Sequence, residues 1–245
     1  MKIIVNGAAG RMGCALRKLI DDGISGAVLA AGVDSFAQDT AFLPGLDAVT
    51  CEADCIIDFS NHTATAELTR FAMARRLPLV IATTGQTQEE LEIIRQAATQ
   101  IPIFLSGNMS LGIALLVQLA KQTAKMFPDA DIEIVESHHN QKLDAPSGTA
   151  LMLANSIKAA RPEAEFLVGR HENGKRPKQE IGIHSIRMGN TVGIHEVIVN
   201  TGAQVITLKH EAQDRSLFAE GALSAAAFLI GKVPGLYNMT HVVNS

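Results

Sequence analysis

Two segments of the 245-residue chain concentrate side chains that can do chemistry. In ESHHNQKLDAPSGTA, residues 136–150, His138, His139 and Lys142 follow a strand-like run and precede Ser147-Gly148-Thr149 at a helix start. Adjacent histidines on a strand point to opposite faces, and no HxxxH spacing or nearby cysteine completes a ligand set, so a metal centre is not expected. A histidine with a lysine four positions on, next to helix-start N–H groups, suits proton donation beside a bound carboxylate. One surface histidine, one structural histidine and an ordinary N-cap at Ser147 would read the same way, and spacing alone leaves both readings open.

The other segment, GAAGRMG at 7–13, follows the first strand pattern and opens the first helix pattern. Gly7 permits a tight turn, Gly10 lets the backbone approach a pyrophosphate, and Gly13 lets the helix pack close to the sheet. Asp34 ends the second strand pattern 21 residues after Gly13 and can accept bonds from ribose hydroxyls. No Lys or Arg lies between Asp34 and Arg70 to neutralise a 2′-phosphate, which favours NADH over NADPH, although Arg11 at the helix start could reach a phosphate. Two more turns follow strand ends, Phe59-Ser60-Asn61-His62 and Thr83-Thr84-Gly85. Cofactor contacts and helix capping by Ser60 or Thr84 are both compatible with them.

These segments need a scaffold. The runs KIIVN, VLAAGVD, CIIDFS, LPLVIATT and IPIFLS alternate with helical patterns at Arg11–Asp22, His62–Arg76 and Gln88–Gln100, which predicts a Rossmann-type doubly wound parallel sheet. A helix pattern at Leu111–Met126 is followed by strand patterns at 131–137, 181–188, 193–200 and 203–210, joined by turns such as Gly189-Asn190. They read as a mostly antiparallel meander in a second, α+β domain. Phe218–Gly231 reads as a closing helix, and the charged stretch 169–180 as a solvated loop.

Composition narrows the function classes. With 47% apolar and 19% charged residues the chain is a globular protein, not a disordered one. A net charge of −4, scattered cations and no Trp give no footprint for nucleic acid. The longest apolar stretches, near ten residues, are too short for a bilayer, and no secretory signal opens the chain, so a cytoplasmic location is expected. Cys14, Cys51 and Cys55 read as reduced thiols. A short-chain dehydrogenase is excluded, since Tyr237, the only tyrosine, has His241 in place of the required lysine. A semialdehyde dehydrogenase would need a cysteine nucleophile beyond Cys55. A noncatalytic nucleotide sensor would keep Asp34 and the glycines but would have no use for His138 and Lys142.

GAAGRMG, TTG at 83–85, SGNMSLG at 106–112, ESHHNQKLDAPSGTA and IGIHSIRMGNTVGIHEV at 181–197 together resemble the 4-hydroxy-tetrahydrodipicolinate reductases, also called dihydrodipicolinate reductases, of lysine and diaminopimelate synthesis. The resemblance implies an NAD(P)H-dependent oxidoreductase with a dinucleotide-binding domain at 1–109 and 216–245. It also implies a substrate-binding domain at 110–215 that forms a homotetramer through its sheet. It assigns acid/base work to His138, proton donation to Lys142, and contacts with a dicarboxylate substrate to His139, Ser147, Gly148 and Thr149. It assigns cofactor contacts to Gly7, Arg11, Met12, Asp34, Thr83, Thr84, Gly85, Ser106, Asn108 and Met109. Two positions depart from the family: Ser35 stands where many members have a basic residue, and Ala82 where glycine is usual.

Overall fold

The computed structural model describes residues 1–37 and 39–245. The chain opens with β1 (Lys2–Asn6), α1 (Arg11–Asp21), β2 (Val28–Val33), β3 (Cys55–Asp58), α2 (Thr65–Arg75), β4 (Leu79–Ile81), α3 (Gln88–Ala97) and β5 (Pro102–Leu105). It continues through α4 (Leu111–Met126), β6 (Asp131–His138), α5 (Gly148–Lys158), β7 (Glu165–Val168), β8 (Glu180–Arg187), β9 (Gly193–Asn200) and β10 (Val205–Ala212). It closes with α6 (Ser216–Leu229), β11 (Gly235–Tyr237) and α7 (Met239–Val243). Two compact units result, one of Met1–Leu111 with Arg215–Ser245, the other of Gly112–Asp214.

The first unit holds a parallel six-stranded sheet in the order β11-β5-β4-β3-β1-β2. Its central strands are apolar on both faces, with Ile3, Ile4, Val5, Ile56 and Ile57 fully buried, as a sheet covered by helices on each side requires. The start of α3 is fixed by a capping box, in which Glu90 N donates to Thr87 Oγ1 at 3.2 Å and Thr87 N to Glu90 Oε2 at 2.7 Å. Helix α6 packs so close that a Cβ on Gly221 would stand 1.7 Å from the Met109 carbonyl oxygen, which makes glycine obligatory there. That contact pins the turn after β5.

The second unit carries a five-stranded sheet, β10-β9-β6-β8-β7. Ile132, Ile134, Ile181, Ile183, Val197 and Val199 point from one face into a core completed by α4 and α5. Each such side chain contributes roughly 1.5–3 kcal/mol on burial. The opposite face carries Val135, Leu167, Ile186, Ile194, Ile198 and Val205, by the alternation of strand side chains.

The α/β class with a parallel nucleotide-type sheet and a second sheet is as expected; the continuous meander is not. Strand β8 runs parallel to β6 and β7, while β9 is antiparallel to β6 and β10, so the sheet is mixed and β6 separates β8 from β9. The glycine turn at 189 reverses the chain, with Gly189 at φ +50, but a turn signal does not specify which strand becomes the neighbour. The charged stretch 169–180 is tied down by pairs of Arg170 with Glu180 and of Arg176 with Asp131 and Glu133.

Candidate functional site

In the first unit the glycine loop is shaped by close approach. Gly7 sits at φ +78, where a Cβ would lie 2.8 Å from the Phe59 carbonyl and Ser60 N; a Cβ on Gly13 would come within 2.1 Å of Gly7 O. Gly7 N and Ala8 N both donate to Val33 O, at 2.9 and 3.1 Å, tying the loop to the end of β2. Gly10 caps α1 with no side-chain bond, so no side chain competes with an anion at this N-cap. Arg11 and Met12 form the first turn, with Arg11 exposed. Arg17 braces the loop from below, donating from Nε to Ala8 O at 3.0 Å.

Asp34 is anchored to this loop. One carboxylate oxygen accepts from Ala9 N at 3.0 Å and the other from Phe36 N at 3.1 Å, which fixes the group while leaving lone pairs for further donors. Gly7, Gly10, Asp34, Phe59 and Ser60 line one cleft of about 500 Å³. Glu67 also lines it, and no Lys or Arg is among the described lining residues.

Behind the cleft lies Asp58, a residue to which the sequence alone drew no attention. Its buried carboxylate accepts from Asn6 Nδ2 at 2.8 Å, from Ser60 Oγ at 2.6 Å and from Thr83 Oγ1. Burial pushes its pKa up against the pull of these bonds. The network joins the carboxyl ends of β1 and β3 to the turn after β4, the edge where open α/β sheets take ligands. Next to it His62 Nδ1 meets Glu90 Oε2 at 2.9 Å, linking the turn after β3 to the start of α3. Thr84 and Gly85 are exposed in the turn after β4. Ser106 Oγ donates to Asn108 O at 2.6 Å and shapes the turn after β5, while Met109 is buried. Thr83, Thr84, Gly85, Ser106, Asn108 and Met109 do not line the 500 Å³ cleft; they stand at the ends of β4 and β5.

The second unit gathers its polar groups at the end of β6. Glu136 and His138, two apart on one strand, share a face, and Glu136 Oε2 lies 2.5 Å from His138 Nδ1. Arg187, from the end of β8, grips the same carboxylate through both terminal nitrogens, at 2.9 Å to Oε2 and 2.8 Å to Oε1. Burial would raise the Glu136 pKa, but bonds from Arg187, Ser185 and His138 outweigh it and hold it at about 2. Burial pushes His138 down, and its bond to Glu136 opposes that.

Ser147 caps α5 as expected, its Oγ accepting from Ala150 N at 3.2 Å. Its own amide donates to Glu136 Oε1 at 3.1 Å, and its hydroxyl lies 3.0 Å from His195 Nε2. Burial, reinforced by the nearby His138, drives His195 down to about 4. Lys142 Nζ is paired with Asp144 Oδ1 at 2.7 Å, and the Gly148 amide also donates to the Asp144 carboxylate. The lysine and the helix start thus converge on one carboxylate. Thr149 follows in the first turn of α5, and His139 is half-buried beside His138. The sequence reading gives Glu136, Arg187 and His195 no role, although all three lie in the segments 136–150 and 181–197 that carry the family resemblance. Among the described residues no group of three metal-ligating side chains occurs, and no helix is long and apolar enough to cross a membrane.

Comparison with known proteins covers the whole chain. Residues 1–109 match the family described as dihydrodipicolinate reductase, N-terminus, and residues 112–243 its C-terminus. A 4-hydroxy-tetrahydrodipicolinate reductase of Caldanaerobacter subterraneus subsp. tengcongensis is 47% identical over 247 residues, covering 99% of this chain and 98% of its own. That of Clostridium tetani is 42% identical over 250 residues, covering 100% and 98%. A solved dihydrodipicolinate reductase with dipicolinate bound, from Paenisporosarcina sp. TG-14, superposes with a TM-score of 0.82 at 26% identity over 97% of each chain.

Proposed function

The chain belongs to the dihydrodipicolinate reductase family, and we propose that it reduces 4-hydroxy-tetrahydrodipicolinate to tetrahydrodipicolinate, a step of lysine and diaminopimelate synthesis, as an NAD(P)H-dependent oxidoreductase. The observation that carries the site assignment is the convergence of Lys142 and the start of α5 on a carboxylate, that of Asp144, beside the buried Glu136–His138 pair.

The first unit fits a dinucleotide: an added Cβ at Gly7 would collide with the turn at Phe59-Ser60 and one at Gly13 with the glycine loop, and the uncapped start of α1 suits a pyrophosphate. Gly7, Gly10, Arg11, Met12 and Gly13 would hold the phosphates, and Asp34 the ribose. Phe59, Ser60, Thr83 to Gly85, Ser106, Asn108 and Met109 would meet the remainder. When bound, the nucleotide supplies hydride. The carboxylates of Asp34 and Glu67, with no cation among the described residues of the cleft, favour NADH over NADPH.

In the second unit Ser147, Gly148, Thr149 and His139 bind the substrate carboxylates through helix-start N–H groups and side-chain donors. Once the hydroxyl has left the ring as water, hydride adds to the conjugated ring and Lys142 delivers the proton that the reduced ring requires, its ammonium also offsetting the negative charge that builds as hydride adds. His138 tunes or relays that proton. The solvent-side face of the sheet, where Val135, Ile194, Ile198 and Val205 stand among the Lys209–Glu196 and His184–Glu133 pairs, is the surface we assign to homotetramer formation. Three cysteines without a disulfide fit a cytoplasmic enzyme.

The test is coenzyme oxidation followed by absorbance, with and without the cyclic substrate. Lys142→Ala and His138→Ala should each lower turnover by at least about tenfold, toward the roughly 10²–10⁴-fold that a general acid contributes, with NADH affinity by fluorescence titration nearly unchanged. Normal turnover in both variants would make these residues structural. Impairment of His138→Ala alone would reverse the two roles.

A further inference from the structure

We propose that Glu136 is a positioning residue for the reduction, holding His138 with its proton on Nδ1 and tying that ring to the helix start that receives the substrate carboxylate. This rests on the acid/base role assigned to His138 above.

The argument is one of hydrogen-bond inventory. Glu136 is fully buried, and its two oxygens face only donors. Oε1 accepts from Arg187 Nη2 at 2.8 Å and from Ser147 N at 3.1 Å; Oε2 accepts from Arg187 Nη1 at 2.9 Å and stands 2.5 Å from His138 Nδ1. Ser185 donates to the same carboxylate. A carboxylate so surrounded has no proton to give, so the bond to the imidazole requires a proton on Nδ1. The other ring nitrogen, Nε2, is left to exchange protons.

The surroundings keep that nitrogen uncovered. A Cβ at position 193 would lie 3.1 Å from His138 Nε2, so Gly193 leaves space where any other residue would crowd the ring. The His195 ring meets His138 edge to face, with centroids 5.2 Å apart, and blocks rotation. The charged and titratable groups acting on His138 are Glu136 on its own strand, Arg187 from β8, Lys142 from the following loop and His195 from β9. Glu136 alone is anionic.

The carboxylate also couples two functions. Through Ser147 N it holds the N-cap of α5, and through Arg187, whose Nη2 also donates to Asp144 O at 2.6 Å, it holds the loop carrying Lys142. One buried group therefore sets the proton-handling ring and the anion-binding turn in register, with Ser147 lying 11 residues beyond Glu136 in sequence.

Glu136→Gln tests this with little change of volume. The amide oxygen can still accept from Arg187 Nη2 and Ser147 N, while the amide nitrogen in place of Oε2 costs Arg187 Nη1 its acceptor. Facing Nδ1, that amide nitrogen turns the ring nitrogen into an acceptor, moving the proton to Nε2, as happens when an amide replaces the orienting carboxylate of a catalytic triad. Turnover should fall about tenfold or more while both Michaelis constants stay within about threefold, and the pH limb belonging to His138 should move lower, its imidazolium having lost an anion. Nitrogen-15 spectra of the histidines should show Nδ1–H at His138 in the unaltered enzyme and Nε2–H in the variant. A purely structural glutamate would move neither the tautomer nor the limb. Full turnover in Glu136→Gln with an impaired His138→Ala overturns the positioning role alone; full turnover in both overturns the role of His138 as well. A proton on Nε2 in the unaltered enzyme overturns the proposal even if the variant does not fold.

Discussion

The hydroxyl of Ser147 lies 3.0 Å from Nε2 of His195, a residue 48 positions further along the chain, inside a buried pocket where the imidazole stays neutral. Ser147 Oγ already accepts from Ala150 N. If His195 donates to it as well, both acceptor positions of the hydroxyl are filled and its own proton is left for a third partner. The neutral imidazole thus orients a donor it does not itself supply.

That neutrality has a pH signature. The His195 pKa falls from 6.5 unfolded to about 4 folded, so between these values the unfolded chain binds the extra proton, and stability present above pH 6.5 is lost on acidification. The loss amounts to about 3 kcal/mol by pH 4. Glu136, depressed from 4.5 to about 2, continues the loss at lower pH with the same sign. Melting temperature against pH should fall across the first interval, and His195→Gln should flatten that interval. An unchanged slope in the variant would mean that His195 is charged in the folded protein.

Anchoring of the substrate is read from Thr149. Thr149→Val removes a hydroxyl from the first turn of α5 while preserving shape, and the Michaelis constant for substrate should rise by roughly ten- to a hundredfold, the worth of one hydrogen bond to a charged group. Coenzyme binding should not follow. An unaltered substrate constant would take Thr149 out of the site.

Coenzyme preference follows from the acidic lining of the nucleotide cleft. A 2′-phosphate facing Asp34 costs on the order of 1–2 kcal/mol, roughly five- to thirtyfold in affinity. NADH should therefore serve at least as well as NADPH in steady-state kinetics. A tenfold preference for NADPH would show that Arg11 outweighs the carboxylates.

Gly13→Ala checks the loop itself. With the new Cβ 2.1 Å from Gly7 O, helix α1 must shift off the sheet. The expected loss is about 3 kcal/mol, near 6–12 °C in Tm for a protein of this size, with coenzyme affinity falling in parallel. Wild-type melting behaviour would place the helix further from the loop than the structure does.

What could be read from sequence was what local periodicity encodes. The glycine loop, Asp34, the helix start at Ser147 and the alternation of β1 through β5 with helices all follow from short-range spacing. Strands β7 and β11, of four and three residues, are too short to show a period, and α7 has five. The Glu136–Arg187 clamp escaped because it depends on the parallel register of β6 and β8, which brings together residues 51 apart. Asp58 escaped for a similar reason: its partners Asn6, Ser60 and Thr83 meet only once β1, β3 and β4 lie side by side.

The path of the chain through the first unit sets an order of assembly. Strand β11 pairs with β5, and α6 packs against α1, β3, β4 and β5, yet both are made after residue 214. On a ribosome, Gly112–Asp214 has all its strands and helices before the nucleotide-binding unit has its last edge strand or its alanine-rich cover. The unit that begins first is thus finished last. During that interval the edge of β5 is an unpaired strand, the part of the nascent chain most exposed to wrong pairing.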